Sequence, residues 1–303
     1  MGALRIFSQH KPVVIKPLTI KGTTRLLGVI GDPVKHSMSP IMHNAAIATL
    51  GIDYVYLPFP IAPEQLKTAI DGFAAIGLQG FNITIPHKQA IMPLLREVSA
   101  VAQAIGAVNT VWWSERGWCG TNTDAAGFVA PLQALGQDWT NSPALILGNG
   151  GAARAVVAAC HQLGCPEILV VGRNIDKLDA FAQSWQMSSL QPSVSVHPWH
   201  ALDQLLPGVG LVVNTTPIGM APNIEATPLQ ASQLDLLAQQ TIVYDLIYTP
   251  RPTQLLCLAQ AAGLVTFDGL EMLVQQGAAA LEIWIQQTPP VDVMRQALLA
   301  HAS

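Results

Sequence analysis

Lys88 and Asp124 are side chains whose types could pass a proton, Lys88 just past a stretch that stops at a proline and Asp124 at the approach to a helix. In Phe81-Asn82-Ile83-Thr84-Ile85-Pro86-His87-Lys88 polar and apolar residues alternate, so a strand would carry Asn82 and Thr84 on one face and Phe81, Ile83 and Ile85 on the other. Pro86 cannot continue a hydrogen-bonded ladder but suits the first turn of a helix. Lys88 is therefore expected in an opening turn just past the strand, partly desolvated. Such an ammonium can serve as a general acid, although an ordinary surface lysine is the commoner finding at any one position. Gly120-Thr121-Asn122-Thr123-Asp124 leads likewise into a helix from Ala125 through Leu135, where the Asp124 carboxylate either caps the helix or joins the chemistry. Asn109, in the otherwise apolar strand Val108 to Trp112, is a buried amide that needs partners, in a neighbouring loop or in a ligand.

A second constellation binds rather than reacts. The apolar strand Ala144 to Leu147 runs straight into Gly148-Asn149-Gly150-Gly151-Ala152-Ala153, which opens a helix through Leu163 and precedes a further strand, Glu167 to Val171. This strand, glycine turn and helix make a dinucleotide site, with Gly148 for the tight turn, Gly150 for approach of a pyrophosphate and Ala153 for packing on the strand. Asn149 is expected to tolerate a left-handed turn. An acidic residue after the second strand would select NAD, but the chain has Gly172-Arg173-Asn174-Ile175-Asp176-Lys177, whose Arg173 and Lys177 can pair with a 2'-phosphate. Asn214-Thr215-Thr216 ends a later strand with polar groups, Thr215 among them, where such a cofactor would lie.

The elements that position these residues alternate between strand and helix along the whole chain. Strands at Leu26 to Ile30, Tyr54 to Pro58, Leu78 to Ile85 and Val108 to Trp112, with helices at Ile41 to Leu50 and Pro63 to Ile76, give an α/β first half. Ser37 and Ser39 fall on the loop before the first helix, where hydroxyls commonly cap. Strands at Ala144, Glu167, Val194 to His197, Leu211 to Asn214, Thr241 to Asp245 and Leu264 to Phe267 give a doubly wound parallel sheet. Helices at Gly269 to Gln287 and Val291 to Ala300 are expected to pack back on the first half. In the former, Leu273, Gln276 and Ala280 share one side, and a glutamine there must be bonded.

The 303 residues are 50% hydrophobic and 11% charged, enough for two cores and against disorder. The formal charge of 15 minus 19, or -4, carries no basic block, which argues against nucleic acid and membrane surfaces as partners. Cys119, Cys160, Cys165 and Cys257 form no CxxC pair and read as thiols of a reducing compartment. With no membrane-length apolar run and no signal-peptide pattern, the protein is expected to be cytoplasmic, as a monomer or homodimer. The scattered histidines suggest no metal site, His43 and His87 being expected in structural roles. Residues 1–24, with Arg5, Lys11, Lys16 and Lys21 and no acid, are expected to be a loosely held extension.

Taken together, GDPxxHSxSPxxHNAA from Gly31, the stretch ending in Lys88, the approach to Asp124 and the glycine loop resemble the shikimate dehydrogenase family, from about Leu26 to about Trp284. The resemblance implies two domains: 25–125 with 269–303 for substrate and catalysis, and 126–268 as a Rossmann domain for NADP. It implies NADPH-dependent reduction of 3-dehydroshikimate to shikimate, with Lys88 and Asp124 catalytic. Ser37 and Ser39 would take the substrate carboxylate, and Asn82, Thr84, Asn109, Tyr248 and Gln276 would line the remainder of the substrate site. Gly148 to Ala153, with Arg173, Asn174, Lys177, Thr215, Leu246, Gly269 and Met272, would hold the cofactor, Met272 being otherwise plain core filler. The chain departs from the family pattern at Ala125 (glycine there), Asn149 (alanine), Gly172 (asparagine) and Asn174 (threonine). A quinate/shikimate dehydrogenase using NAD is the nearest alternative. A ligand-sensing relative without turnover is another, against which the retained Lys88 and Asp124 speak.

Overall fold

The computed structural model describes residues 17–301, whose strands assemble into two separate six-stranded sheets. Arg5, Lys11 and Lys16 of the basic leader lie outside the described residues. Its end is fastened rather than loose, since the Thr23 and Thr24 hydroxyls donate to the Asp53 carboxylate at 2.5 and 2.7 Å.

In chain order the first half runs β1 (Arg25–Gly31), α1 (Ser39–Leu50), β2 (Tyr54–Pro60), α2 (Leu66–Ala75), β3 (Gly80–Ile83), α3 (His87–Ala90), β4 (Glu97–Val98), α4 (Ala100–Ile105), β5 (Thr110–Ser114), β6 (Gly117–Thr121) and α5 (Asp124–Gln133). Its sheet has the order β2-β1-β3-β5-β6-β4 and is mixed, because β5 runs antiparallel to both β3 and β6. The second half runs β7 (Ala144–Leu147), α6 (Gly151–Leu163), β8 (Ile168–Gly172), α7 (Ile175–Gln186), β9 (Val194–Pro198), α8 (Leu202–Leu205), β10 (Leu211–Asn214), α9 (Ala231–Leu234), β11 (Ile242–Asp245), α10 (Gln254–Ala261) and β12 (Val265–Phe267). Its strands are all parallel in the order β12-β11-β10-β7-β8-β9, a doubly wound sheet whose switch point lies between β7 and β10.

A parallel sheet covered on both faces demands strands that are apolar throughout, which is why Ala144-Leu145-Ile146-Leu147 is buried at every residue. Ile146, Val170 and Val213 pack with Val156 and Val157 of α6 on one face; Leu145, Val212 and Val243 pack with Leu255 and Leu256 of α10 on the other. The chain then returns through α11 (Gly269–Ile285) and α12 (Val291–Leu299). Val274, Leu281, Trp284, Met294 and Leu298 from these helices share a core with Leu27 and Val29 of β1 and Met42 and Ile47 of α1. α11 also crosses α5 closely at Gly127, where a Cβ would come within 2.7 Å of Gln276 Cβ.

Some boundaries differ from the expectation for physical reasons. β3 stops at Ile83, where its ladder with β1 ends, one residue past its last pair with β5 at Asn82 and Thr110. Ile85, expected on the apolar face, is 74% exposed. β5 begins at Thr110 rather than Val108, whose N–H is taken by Lys88 O. α1 begins at Ser39, with Pro40 in its first turn, so Ser39 is helical and not on the preceding loop.

Candidate active site

Two short approaches converge: the turn after β3 that opens α3, and the turn after β6 that opens α5. Lys88 Nζ lies 2.6 Å from Asp124 Oδ2, with side chains 28% and 14% exposed. Asp124 is the first residue of α5, yet its carboxylate caps nothing, the cap position being Thr123. Its oxygens are instead engaged by other elements, Oδ2 by Lys88 and Oδ1 by Asn109 Nδ2 at 2.8 Å. An ammonium carries three N–H groups, so the one directed at Asp124 leaves others for a ligand oxygen. The segment from Ala107 to Asn109 braces both partners. Val108 N–H donates to Lys88 O at 2.8 Å, and Asn122 bridges Ala107 O to Asp124 N–H at 3.0 Å each.

Below the pair lies a buried polar network. Asn109 Oδ1 accepts from Thr123 N–H at 2.8 Å and from Thr110 Oγ1 at 2.9 Å. Asn82 Nδ2 donates to Asn109 O and to Thr110 Oγ1, both at 3.1 Å, and Tyr56 OH donates to Asn82 Oδ1 at 2.7 Å. Gln276 donates to Leu273 O at 2.8 Å, which satisfies its amide on its own helix and leaves Oε1 3.5 Å from Asn109 Nδ2. Tyr56, Thr110 and Thr123 are site residues that the sequence alone does not single out. A phenol inside the apolar run Val55-Tyr56-Leu57 is the available signal, because a buried hydroxyl requires a partner.

α1 closes one side of this network. His43 stacks on Tyr56 with ring centroids 4.2 Å apart, and neither of its nitrogens finds a partner among the described residues. Burial drives its pKa down to about 3 against an opposing pull from Asn82. Burial likewise pushes the Tyr56 phenol well up, with the Ser39 hydroxyl opposing. Ser39 is buried, whereas Ser37 stays half open and accepts the Ser39 N–H at 3.3 Å. Thr84 is half-buried, with its methyl set against Gly31.

On the second sheet Gly148 adopts φ +102°, the left-handed turn that needs glycine, and Asn149 beside it is not left-handed, so its expected tolerance of such a turn is not called on. Side chains at Gly150 or Gly151 would meet nothing within 4 Å, which leaves a bare cradle at the N-terminus of α6 that suits a pyrophosphate. Ala152 is exposed beside it, and Ala153 is fully buried against the sheet. Thr215 Oγ1 donates to Leu147 O at 2.7 Å, next to Gly148. Arg173 and Lys177 are exposed past β8; Asn174 Oδ1 caps α7 through Lys177 N–H at 2.9 Å, leaving its Nδ2 for a ligand. These residues fit a dinucleotide.

The loop after β11 joins the two halves. Asp245 is fully buried and accepts from Asn214 Nδ2 at 3.0 Å, Ile247 N–H at 3.1 Å and Thr253 Oγ1 at 2.7 Å; burial raises its pKa to about 6. Leu246 and Met272 lean on the core of the second sheet, while Tyr248 packs on that of the first, where burial raises its phenol. Gly269 is set by packing, since any side chain there would strike the Leu246 carbonyl. Arg154 of α6, equally silent in the sequence, makes a second bridge: its guanidinium donates to Ile105 O and lies 4.9 Å over the Trp185 ring.

The family model described as shikimate dehydrogenase substrate binding domain matches residues 29–111, and that described as shikimate 5'-dehydrogenase C-terminal domain matches residues 269–299. A relative from Nostoc sp. (strain PCC 7120), named shikimate dehydrogenase (NADP(+)), is 61% identical over 284 residues, covering 93% of this chain and 98% of its own. Among solved structures, a shikimate dehydrogenase in complex with NADP+ aligns with a TM-score of 0.87 and 39% identity, covering 95% of this chain and 100% of that one. A quinate dehydrogenase from Corynebacterium glutamicum in complex with NAD aligns with a TM-score of 0.84 and 31% identity, covering 91% and 99%.

Proposed function

The chain belongs to the shikimate dehydrogenase family, and from that premise we propose that Lys88 and Asp124 carry the proton in NADPH-dependent reduction of 3-dehydroshikimate to shikimate. The observation that carries this reading is the 2.6 Å contact between Lys88 and Asp124, with Asp124 held from its other side by a buried amide. NADPH, when bound, supplies the hydride. Lys88 donates a hydrogen bond to the carbonyl oxygen and hands over a proton as negative charge develops there; in the oxidative direction the neutral amine takes that proton back. Asp124 keeps the ammonium pointed at the reacting oxygen and accepts from a substrate hydroxyl.

The remaining assignments rest on membership of the family and on where each residue stands in the two sheets. Ser37 and Ser39, at the opening of α1, hold the substrate carboxylate. Asn82 and Asn109 form the floor against which the ring hydroxyls lie, with Thr84, Tyr248 and Gln276 closing around them. The first sheet with α11 and α12 acts as the substrate domain and the second sheet as the NADP domain, where Gly148 to Ala153 wrap the pyrophosphate. Arg173, Asn174 and Lys177 meet the adenosine end, and Thr215, Leu246, Gly269 and Met272 meet the nicotinamide end. Four free cysteines suit the reducing environment of the cytosol, where we place the enzyme.

The test follows the absorbance of the reduced nicotinamide with shikimate or quinate as substrate and NADP or NAD as acceptor. Turnover fastest with shikimate and NADP is the expected result. Comparable rates with quinate or NAD would move the chain to the broader quinate/shikimate class, and shikimate binding without turnover would make it a sensor.

A further inference from the structure

In a doubly wound sheet the adenosine ribose is read at the end of the second strand, by a side chain that follows it. Here that strand is β8, and its last residue, Gly172, has no side chain. The space above it is nonetheless filled. A Cβ on Gly172 would lie 3.3 Å from Asn149 Oδ1 and 3.0 Å from Leu178 Cδ2. The glycine loop and the strand are laced together at this point, because Gly148 N–H donates to Val171 O at 2.8 Å. The amide at 149 and the bare strand end at 172 therefore meet in one place.

The neighbouring side-chain bonds are the Asn174 cap of α7 and the bond from Thr215 to Leu147, and Asn149 takes part in neither. Asn149 is half-buried, and its carboxamide keeps its N–H donors. The charge of this corner matters as much as its shape. A carboxylate at the strand end repels a phosphate and selects a free ribose hydroxyl; a neutral amide over Gly172, with the exposed Arg173 next in the chain, does the reverse.

We propose that the Asn149 carboxamide, seated over Gly172, donates to the 2'-phosphate of NADP alongside Arg173 and sets the preference for NADP over NAD. The glycine loop thus supplies the contact that a strand-end side chain supplies elsewhere. The proposal rests on the NADP reading above and adds the residue that discriminates.

Titration calorimetry with adenosine 2',5'-bisphosphate and with AMP, neither of which carries nicotinamide, tests it without turnover. The full-length protein should bind the bisphosphate more tightly than AMP. Asn149→Ala should weaken the bisphosphate about ten-fold, the equivalent of one charge-assisted hydrogen bond, and leave AMP within about two-fold. Asn149→Asp should weaken the bisphosphate further still, by repulsion. Gly172→Asn alone should also weaken it by displacing Asn149, whereas Asn149→Ala with Gly172→Asn, which moves the amide back to the strand, should recover most of the loss. Unfolding scans of the unliganded variants establish that each is folded. An unchanged ratio of the two affinities in Asn149→Ala, or an equal loss of both ligands, overturns the proposal. Equal binding of both ligands by the unsubstituted protein overturns the NADP reading itself.

Discussion

In the first half Asn82, Asn109, Thr110 and Thr123 are each 6% exposed or less and bonded to one another, whereas in the second half Arg173, Asn174 and Lys177 are exposed and Asn149 stands half open. The contrast follows from what each site must do. Proton transfer requires its acid and the partner of that acid to be fixed before substrate arrives, so the first half uses its amides on itself. A dinucleotide that must be exchanged at each turnover is read by groups left available, and its phosphates meet bare backbone at Gly150 and Gly151. Substitutions in the buried network around Lys88 and Asp124 should therefore change chemistry and stability together, and those on the exposed rim of the nucleotide site should change affinity alone.

The largest effect expected is that of Lys88→Ala. Loss of the proton donor should lower kcat by about 10²–10⁴-fold, with a much smaller change in the KM for shikimate. A loss confined to affinity would remove the acid-base assignment and with it the contrast.

Next comes the pair Asn109→Ala and Arg173→Ala. Removing the Asn109 amide strands Thr123 N–H and one Asp124 oxygen, at a cost of about 1–3 kcal/mol in a urea unfolding curve and with a parallel fall in kcat. Arg173→Ala, on the exposed rim, should leave the same curve within about 0.5 kcal/mol while raising the KM for NADP. Equal destabilisation by the two would show that the second site is tied into the fold as firmly as the first.

The same difference governs what is legible in the sequence. The second sheet is written in continuous apolar runs and one glycine motif, both local, and the strands expected at Ala144 to Leu147 and Leu211 to Asn214 match the structure to the residue. Lys88, Asp124 and Asn109 are also legible, because each is a polar residue just outside a strand, Lys88 and Asp124 past the turns that follow β3 and β6 and Asn109 immediately before β5. The contacts that tie them are not, since Tyr56, Asn82 and Thr110 come from three strands whose order, β2-β1-β3-β5, puts an antiparallel strand into a sheet that local alternation alone leaves undetermined. Ile85 departs from its expected face for the same reason, its fate depending on where β3 loses its partners β1 and β5. The meeting of Asn149 with Gly172, far apart in the chain, needs the register of β7 against β8.

The smallest effect expected is a difference in sign with pH. Burial holds the His43 pKa at about 3 against an ordinary 6.5, so between these values the folded chain binds fewer protons than the unfolded chain and stability falls on acidification. Burial raises Asp245 from 3.8 to about 6, so in that window the folded chain binds more protons and acidification stabilises it. Each group contributes a slope of at most about 1.4 kcal/mol per pH unit, and between roughly pH 5 and 6 the two oppose. This interval avoids Glu271, for which burial acts upward but Arg295 holds the carboxyl below its ordinary 4.5. The unsubstituted protein should show a shallow stability profile there by urea titration. His43→Phe, which keeps a ring on Tyr56, should make the protein gain stability as the pH falls, and Asp245→Asn should make it lose stability more steeply. The same slope in all three proteins would mean that neither buried group changes its protonation on unfolding, and the opposition between the two halves would then be confined to their hydrogen bonds.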